Sequence, residues 1–530
     1  MRRVALYLGF DSSTQGLTAT TIEVSSRGRR VRVARTLNYD RELPHYRTRH
    51  GVLPSHVPGV VHAPPLLWAE ALDRLMREII SERVDWRDLR AISGSAQQHG
   101  SVYLNADAAA RVANLDPGQP IGEQLTSVFS RATSPVWMDS STTAECREIE
   151  LSLGGADDVA QQTGSRAFER FTGPQIRKFW KDDRPGFERT ARIHLVSSWM
   201  ASLLIGGDAP VDAADASGMN LMRLATWRWW PEALQATAPG LETRLPTLTP
   251  SWTIAGSLSD YWVRRYNLPR ARVVVWSGDN PCSVVGTGAV REGMVTISLG
   301  TSDTIFGPML EPRVSRDGTG HVFASPTGGF MGMTVFQNGS LARESVRDRF
   351  GLGWSGFSSA LASTPPGNRG ALMLPWLGPE ITPVVHQGGT HTRNLDESDG
   401  PSTVRAIVEG QMMAMALHSR WMGVQPHLIH ATGGASTNDA ILQVMADVFD
   451  ASVHRLPSSN SAALGAALRA YHGDCVASGE QIAWEDVCAG FTDAVPAASP
   501  VRAHVETYKE AVERYRELEA TALSSSEATE

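Results

Sequence analysis

The chain has 530 residues, 42% hydrophobic and 20% charged, which excludes a disordered chain and fits a soluble globular protein of roughly two to four domains. A net charge of −7 leaves no basic excess to draw nucleic acid, so an anionic ligand must be met by a local site of backbone amides or a bound metal. Cys146, Cys282, Cys475 and Cys488 are scattered with no Cys-x-x-Cys pair, which argues against a zinc site or disulfide framework and for a reducing compartment.

Arg2 and Arg3 before the apolar run Val4 to Phe10 resemble the start of a signal peptide. The run stops at Asp11 and no small-residue cleavage site follows, so it reads as a buried strand. The polar turn Asp11-Ser12-Ser13-Thr14-Gln15-Gly16 comes next, and Leu17 to Val24 reads as the returning strand of a hairpin. Trp68, Leu72, Leu75, Met76, Ile79 and Ile80 recur at helical spacing. Arg90 to Ser93 reads as a strand end leading to Gln97-Gln98-His99-Gly100, and residues 105–135 read as a long irregular insertion. The apolar stretch Leu195 to Ile205 is shorter than the roughly 20 residues a membrane span needs, so a soluble, cytoplasmic protein without membrane partners is expected.

Val273 to Trp276 reads as a short buried strand that delivers Gly278-Asp279-Asn280-Pro281. Val295 to Leu299, the turn Gly300-Thr301-Ser302-Asp303 and Thr304 to Phe306 repeat the strand–turn–strand pattern of the N-terminus. Two such units far apart suggest two related halves, divided at 1–275 and 276–530. No Pro/Gly/Ser linker marks the boundary, which favours two domains packed around a cleft over two beads on a string. Val404, Ile407, Val408, Met412 and Met415 form an amphipathic helix. The strand Leu428 to Thr432 leads into Gly433-Gly434 and a helix through Ile441, Leu442, Met445 and Val448. A last helix runs through Val505, Tyr508, Val512, Tyr515 and Leu518.

Each turn has two readings. Asp11 to Gly16 and Gly300 to Asp303 are either ordinary hairpin turns or anion-binding concavities of backbone N–H groups, with Asp11 able to hold Mg²⁺ through oxygen. Asp279, after a buried strand, is either a helix N-cap or a base that accepts a proton from a hydroxyl nucleophile. Gly433-Gly434 before a helix lets backbone approach a flat ligand, although a Gly-Gly turn alone is weak. No Gly-x-x-x-x-Gly-Lys-Ser/Thr occurs, so a Walker P-loop fold fits poorly.

Taken in order, GFDSSTQG at 9–16, QQHGSVY at 97–103, PVWMDSSTTAEC at 135–146, GSRAFERFTG at 164–173, DASGMNL at 215–221, SGDNP at 277–281, SLGTSDT at 298–304 and ATGGAS at 431–436 resemble the FGGY carbohydrate kinases, nearest their xylulokinase branch. The likeness implies two actin/hexokinase-type (ribonuclease H-like) domains facing a central cleft, sugar-binding in 1–275 and nucleotide-binding in 276–530. It implies phosphorylation of a ketose, D-xylulose, by MgATP with Asp279 as the base. By the same likeness His99, Arg170, Asp279 and Asn280 hold the sugar, with His99 and Arg170 as fixed donors. Asp11, Thr14 and Thr301 serve the phosphates and Mg²⁺, Gly433, Gly434 and Asn438 the nucleotide, and Trp354 covers the adenosine. Many bacterial relatives carry an Arg two residues after the Asp equivalent to Asp139; here Ser141 stands there, so Asp139 is a weaker candidate. A monomer or homodimer is expected. The rival readings are an FGGY kinase for ribulose, glycerol or a deoxy sugar, and an actin- or Hsp70-like ATPase that needs no polyol site.

Overall fold

A computed structural model describes residues 4–315, 318–457 and 460–527. The described residues form two compact units: residues 4–288, 322–330 and 460–492 make the first, and residues 289–315, 318–321, 331–457 and 493–527 the second. Strands are numbered here for the principal sheet of each unit.

In the first unit β1 (Ala5–Ser12), β2 (Gly16–Ser25) and β3 (Gly28–Asn38) form a meander, followed by β4 (Leu89–Ala96), β5 (Ile254–Ser257), β6 (Arg272–Val274) and β7 (Ser277–Gly278). The order is β3-β2-β1-β4-β6-β5, with β7 also on β4. β1 is antiparallel to β2, with Ala5 opposite Val24 and Ser12 opposite Leu17, and parallel to β4. The apolar run at the N-terminus is buried on both sides, as a central strand requires. The helix Pro65–Ile80 buries Leu67, Trp68, Leu72, Leu75, Met76 and Ile79 in the same core as Trp199, Trp262 and Trp276. The helix Ser461–Ala477 returns from late in the chain to this unit. It crosses the helix Asp279–Gly286 so closely that a Cβ on Gly465 would meet the Cys282 carbonyl oxygen at 1.9 Å.

In the second unit β8 (Met294–Leu299), β9 (Asp303–Met309), β10 (Phe330–Phe336), β11 (Leu428–Thr432), β12 (Ser452–Arg455) and β13 (Val495–Ala498) run in the order β10-β9-β8-β11-β12-β13. β8 is antiparallel to β9 and parallel to β11. In both sheets the first strand lies between its hairpin partner and a later parallel strand, so the repeat seen in the sequence is a repeat of topology. The helices Gly400–His418 and Asp439–Phe449 bury Val404, Ile407, Met412, Ile441, Leu442 and Met445 in the core of this unit.

Two expectations change. Val273 to Trp276 is not one strand: pairing stops at Val274 and resumes at Ser277. In between, the Val275 carbonyl accepts from Ser93 Oγ at 3.2 Å and Arg469 Nη2 at 2.9 Å rather than from a ladder neighbour. Residues 105–135 are not a loose insertion. They contain the helices Ala108–Ala113 and Ile121–Gln124 and place Val112, Leu115, Ile121, Leu125 and Val128 in the first core. Among the described residues no helix is long and apolar enough to cross a membrane.

Candidate functional site

β1 and β4 are parallel neighbours, so their carboxyl ends bring Asp11 beside Ser95. Asp11 is buried and accepts from the hydroxyls of Ser13 and Ser95. Burial raises its pKa while those two hydroxyls pull it down. Among the described residues no cluster of three His, Cys, Asp or Glu side chains is arranged to hold a metal ion. A divalent cation here would therefore rest on the Asp11 carboxylate and draw its other ligands from phosphate and water. Thr14, in the same turn, accepts from Trp137 Nε1 at 2.8 Å; nothing in the sequence pointed to that tether.

β7 ends at Gly278, and the next residues open the helix Asp279–Gly286. Asn280 binds Asp279 Oδ1 twice, through its backbone N–H at 2.8 Å and its Nδ2 at 3.2 Å. Asn280 Nδ2 also donates to Gln98 Oε1 at 2.9 Å, and the Gln98 backbone N–H reaches the Asp279 carboxyl. Burial, then the nearby charge of Asp11, pushes Asp279 up to about 7 despite these donors. A carboxyl tuned to neutrality can take up a proton at physiological pH, which an ordinary aspartate does poorly.

His99 is buried, with its backbone in the left-handed region at φ 71. A non-glycine residue held there costs on the order of 1–3 kcal/mol, a strain that recurs at functional sites. Its ring stacks on Phe171 at 4.4 Å, and the Arg170 guanidinium lies 5.9 Å from the same ring. Burial, helped by the Arg170 charge, lowers His99 to about 3, so the imidazole is neutral. Nδ1 lies 2.8 Å from the Gly218 carbonyl oxygen, which can only accept, so Nδ1 carries the hydrogen and Nε2 the lone pair. The expectation of two donors is thus corrected: His99 offers an acceptor and Arg170 offers donors. Gln98 joins Asn280 to this segment, so His99, Arg170, Asp279 and Asn280 gather around one loop.

Asp139 is fastened elsewhere. It accepts from Val61 N at 2.9 Å, Ser141 N at 3.0 Å and Gln175 Nε2 at 2.7 Å. Against the cost of burial, bonds from His62, Ser141 and Val61 hold it well below the usual carboxylate range. Ser141 Oγ accepts from Lys178 Nζ at 2.8 Å. Asp139 thus ties Val61, Ser141 and Gln175 together.

The second unit contains a cavity of about 600 Å³. Thr301, Trp354, Gly434 and Asn438 line it, together with Arg343 and Ser358. Gly433 does not line it but shapes its edge: φ is +88, and a Cβ would meet the Leu299 carbonyl oxygen at 2.4 Å. At Gly434 a Cβ would meet nothing, so this glycine keeps the cavity open. Asn438 caps the helix Asp439–Phe449 by accepting from Ala440 N and Ile441 N, and it donates to Ser358 Oγ at 2.8 Å. Trp354 is half exposed, with the Arg347 guanidinium 4.5 Å from its ring. The turn between β8 and β9 is braced by Arg343, which grips both Asp303 oxygens at 2.6 and 3.0 Å and Gln411 Oε1 at 2.8 Å. Sequence reasoning assigned no role to Arg343, Gln98 or Asp215, because a polar residue inside a helix or loop carries no sign of what it will face.

Residues 127–286 match the N-terminal domain, and residues 295–473 the C-terminal domain, of the FGGY family of carbohydrate kinases. The chain is 42% identical over 493 residues to xylulose kinase 2 of Arabidopsis thaliana, covering 88% of this chain and 87% of that one. It is 39% identical over 530 residues to the xylulose kinase of Mus musculus, covering 98% and 95%. Among solved structures, the ligand bound xylulose kinase from Lactobacillus acidophilus superposes with a TM-score of 0.81 at 17% identity, covering 99% of this chain and 100% of that one. At that identity the likeness speaks for the fold alone, and the fold is the two-domain actin/hexokinase type. From the two domain matches and the near full-length identities, the chain belongs to the FGGY family of carbohydrate kinases.

Proposed function

We propose that this protein transfers the γ-phosphoryl group of MgATP to the 5-hydroxyl of D-xylulose, with Asp279 as general base. The observation that carries the reading is the state of Asp279: its Oδ1 is held by two donors from Asn280, and its affinity for protons is raised to about 7. The sugar site belongs to the N-terminal half and the nucleotide site to the C-terminal half. Arg170 donates to sugar oxygens, and His99 Nε2 accepts from a sugar hydroxyl. Asp279 takes the proton of the terminal hydroxyl as its oxygen bonds to the γ-phosphorus and the bond to the ADP oxygen breaks. Adenosine lies in the 600 Å³ cavity against Trp354 and the Gly433-Gly434 turn, with Thr301 toward the phosphates. Asp11 and Thr14 serve the phosphate side. Mg²⁺, held by Asp11 and the nucleotide, would supply charge neutralisation on the phosphates.

The names of the Arabidopsis and mouse relatives support D-xylulose as the acceptor. Four buried cysteines without a disulfide support a cytoplasmic location. The test is an ADP-release assay over D-xylulose, D-ribulose, L-ribulose, glycerol and no acceptor. D-xylulose should give the highest kcat/KM; equal ADP release without acceptor would favour a plain ATPase.

A further inference from the structure

We infer that Asp215, a buried acid outside the substrate contacts, is a positioning residue that holds the Gln98 amide in the one orientation that lets it anchor Asn280 beside the base. Asp215 lies in the short helix Ala213–Ala216 and is 1% exposed. Ser197 Oγ donates to its Oδ2. Its other oxygen, Oδ1, and Gln98 Nε2 are both shut off from solvent, and neither has a hydrogen-bond partner at ordinary length. Both side chains pack against Gly278, and Gln98 pulls the Asp215 pKa down as a hydrogen-bond donor does, so a small shift is enough to pair them. A Cβ built there would lie 2.8 Å from Asp215 Oδ1 and 2.8 Å from Gln98 Cδ, so only glycine lets the two side chains meet.

The direction of the chain follows from donor and acceptor chemistry. Asn280 Nδ2 can only donate, so it requires Gln98 Oε1, which it meets at 2.9 Å. Gln98 Nε2 must then point the other way, toward Asp215, whose Oδ1 is the acceptor we assign to it. Without that acceptor only Asn280 Nδ2 favours this flip and the buried Gln98 Nε2 is left unpaired, so the preference weakens. The wrong flip sets Gln98 Nε2 against Asn280 Nδ2, donor against donor. Asn280 is the residue that holds Asp279 Oδ1, so the disturbance ends at the base.

The charge balance agrees. Burial raises Asp215 to about 8; Ser197 and Gln98 oppose the rise through hydrogen bonds, while Asp212 and Asp279 add to it by their charge. Asp215 is thus largely a neutral acid at pH 7, with its hydrogen on Oδ2 toward Ser197 Oγ in that state, which leaves Oδ1 to accept without adding a second anion beside Asp279. Asp212, the nearer acid in sequence, is separately paired with Arg469.

This inference rests on Asp279 as the base but not on the identity of the sugar. Kinetics are therefore run with whichever ketose or polyol the wild type phosphorylates best. The variants are Gln98→Ala, Asp215→Ala, their double, and Asp215→Asn, each checked for a cooperative melt. Gln98→Ala and Asp215→Ala should each lower kcat about tenfold or more with the ATP KM within about twofold, and the double should be no slower than Gln98→Ala alone. Asp215→Asn should stay within about threefold, since its amide oxygen accepts from Gln98 and its NH₂ donates to Ser197 Oγ. Losses that multiply in the double, or an Asn variant as slow as the Ala variant, overturn the inference. Should Asp215→Ala fail to fold, Gln98→Ala and Asp215→Asn still decide it: wild-type kcat in the first, or a large loss in the second, refutes it. A wild type without preference for D-xylulose removes the sugar assignment and leaves this cycle intact.

Discussion

The negative charge of Asp11 acts on Asp279, and after burial it is the largest influence raising that carboxyl to about 7. One acid lies at the carboxyl end of β1 and the other opens the helix after β7, so two acids separated by most of the first unit are electrically coupled. The coupling predicts a pH profile. With Asp279 as the base, kcat/KM should rise about tenfold per pH unit below 7 and level off above it. An acidic limb centred near pH 4 would mean that Asp279 has an ordinary affinity for protons.

The same shift has a stability side. The folded value of about 7 lies above the unfolded value of 3.8, so the native state holds the proton more tightly. Stability from this group is full below about pH 4 and is lost as pH rises through about 7. Asp279→Asn, which never ionises, should therefore gain in Tm over the wild type from pH 4 to 7, with a constant gap above. Thermal melts of both proteins from pH 4 to 8 check this; a gap that narrows toward pH 7 contradicts it.

Asp279→Ala should lower kcat by about 10²–10⁴, the range a positioned general base supplies. The loss should fall on turnover, since the sugar contacts proposed for Arg170 and His99 remain. Near-wild-type turnover in a folded Asp279→Ala protein would take the base away from this residue.

Strands with a one-sided or fully apolar run were legible, and so were the helices with a 3.6-residue period. β8 and β11 lie within a residue of the sequence reading because hydrophobic burial alone sets them. β3 was missed because its residues alternate weakly and most are exposed, as suits the edge of a sheet. The turns at 11–16 and 300–303 were readable from their small and hydroxylated residues. What the turns lean on was not: Arg343 is 40 residues from Asp303 in the chain, and Gln98 is 182 from Asn280. Long-range polar pairs are fixed by tertiary packing, and no local spacing carries them.

Arg343 gives a further prediction. Its side chain is fully buried against Asp303. Replacing it with Met strands the Asp303 charge, which should cost about 3–5 kcal/mol. Denaturant unfolding should show it, and any folded enzyme should bind ATP weakly because the turn below Thr301 loses its brace. Unchanged stability would mean that Asp303 is already neutral in the wild type.

Gly434→Val addresses the nucleotide side. The glycine faces open space in the cavity, and its backbone needs no special conformation, so the fold should tolerate valine. The added side chain projects into the volume assigned to adenosine. The ATP KM should rise about tenfold or more with the sugar KM unchanged. The reverse pattern, weakened sugar with intact ATP, would exchange the roles of the two sites.

The last prediction concerns which sugar is preferred. Phe171 carries both the His99 ring and the Arg170 guanidinium, so these two groups are fixed relative to one another. One accepts and the other donates, and a sugar must present a hydroxyl hydrogen to His99 Nε2 and an oxygen to Arg170. An epimer that turns one hydroxyl away leaves a buried polar group unpaired, at roughly 1–3 kcal/mol per group. D-ribulose, an epimer of D-xylulose, should therefore be poorer in kcat/KM by about tenfold or more. Arg170→Ala should raise the KM for D-xylulose and leave that for ATP unchanged, because Arg170 takes no part in the phosphate turns. It should also narrow the gap between the two epimers, since the donor that tells them apart is gone. Steady-state kinetics with D-xylulose, D-ribulose, L-ribulose and glycerol, in wild type and Arg170→Ala, measure both effects. A wild type that prefers ribulose or glycerol remains an FGGY carbohydrate kinase and is no longer a D-xylulose enzyme. A gap between epimers that is unchanged in Arg170→Ala moves the discrimination to His99 or Asn280.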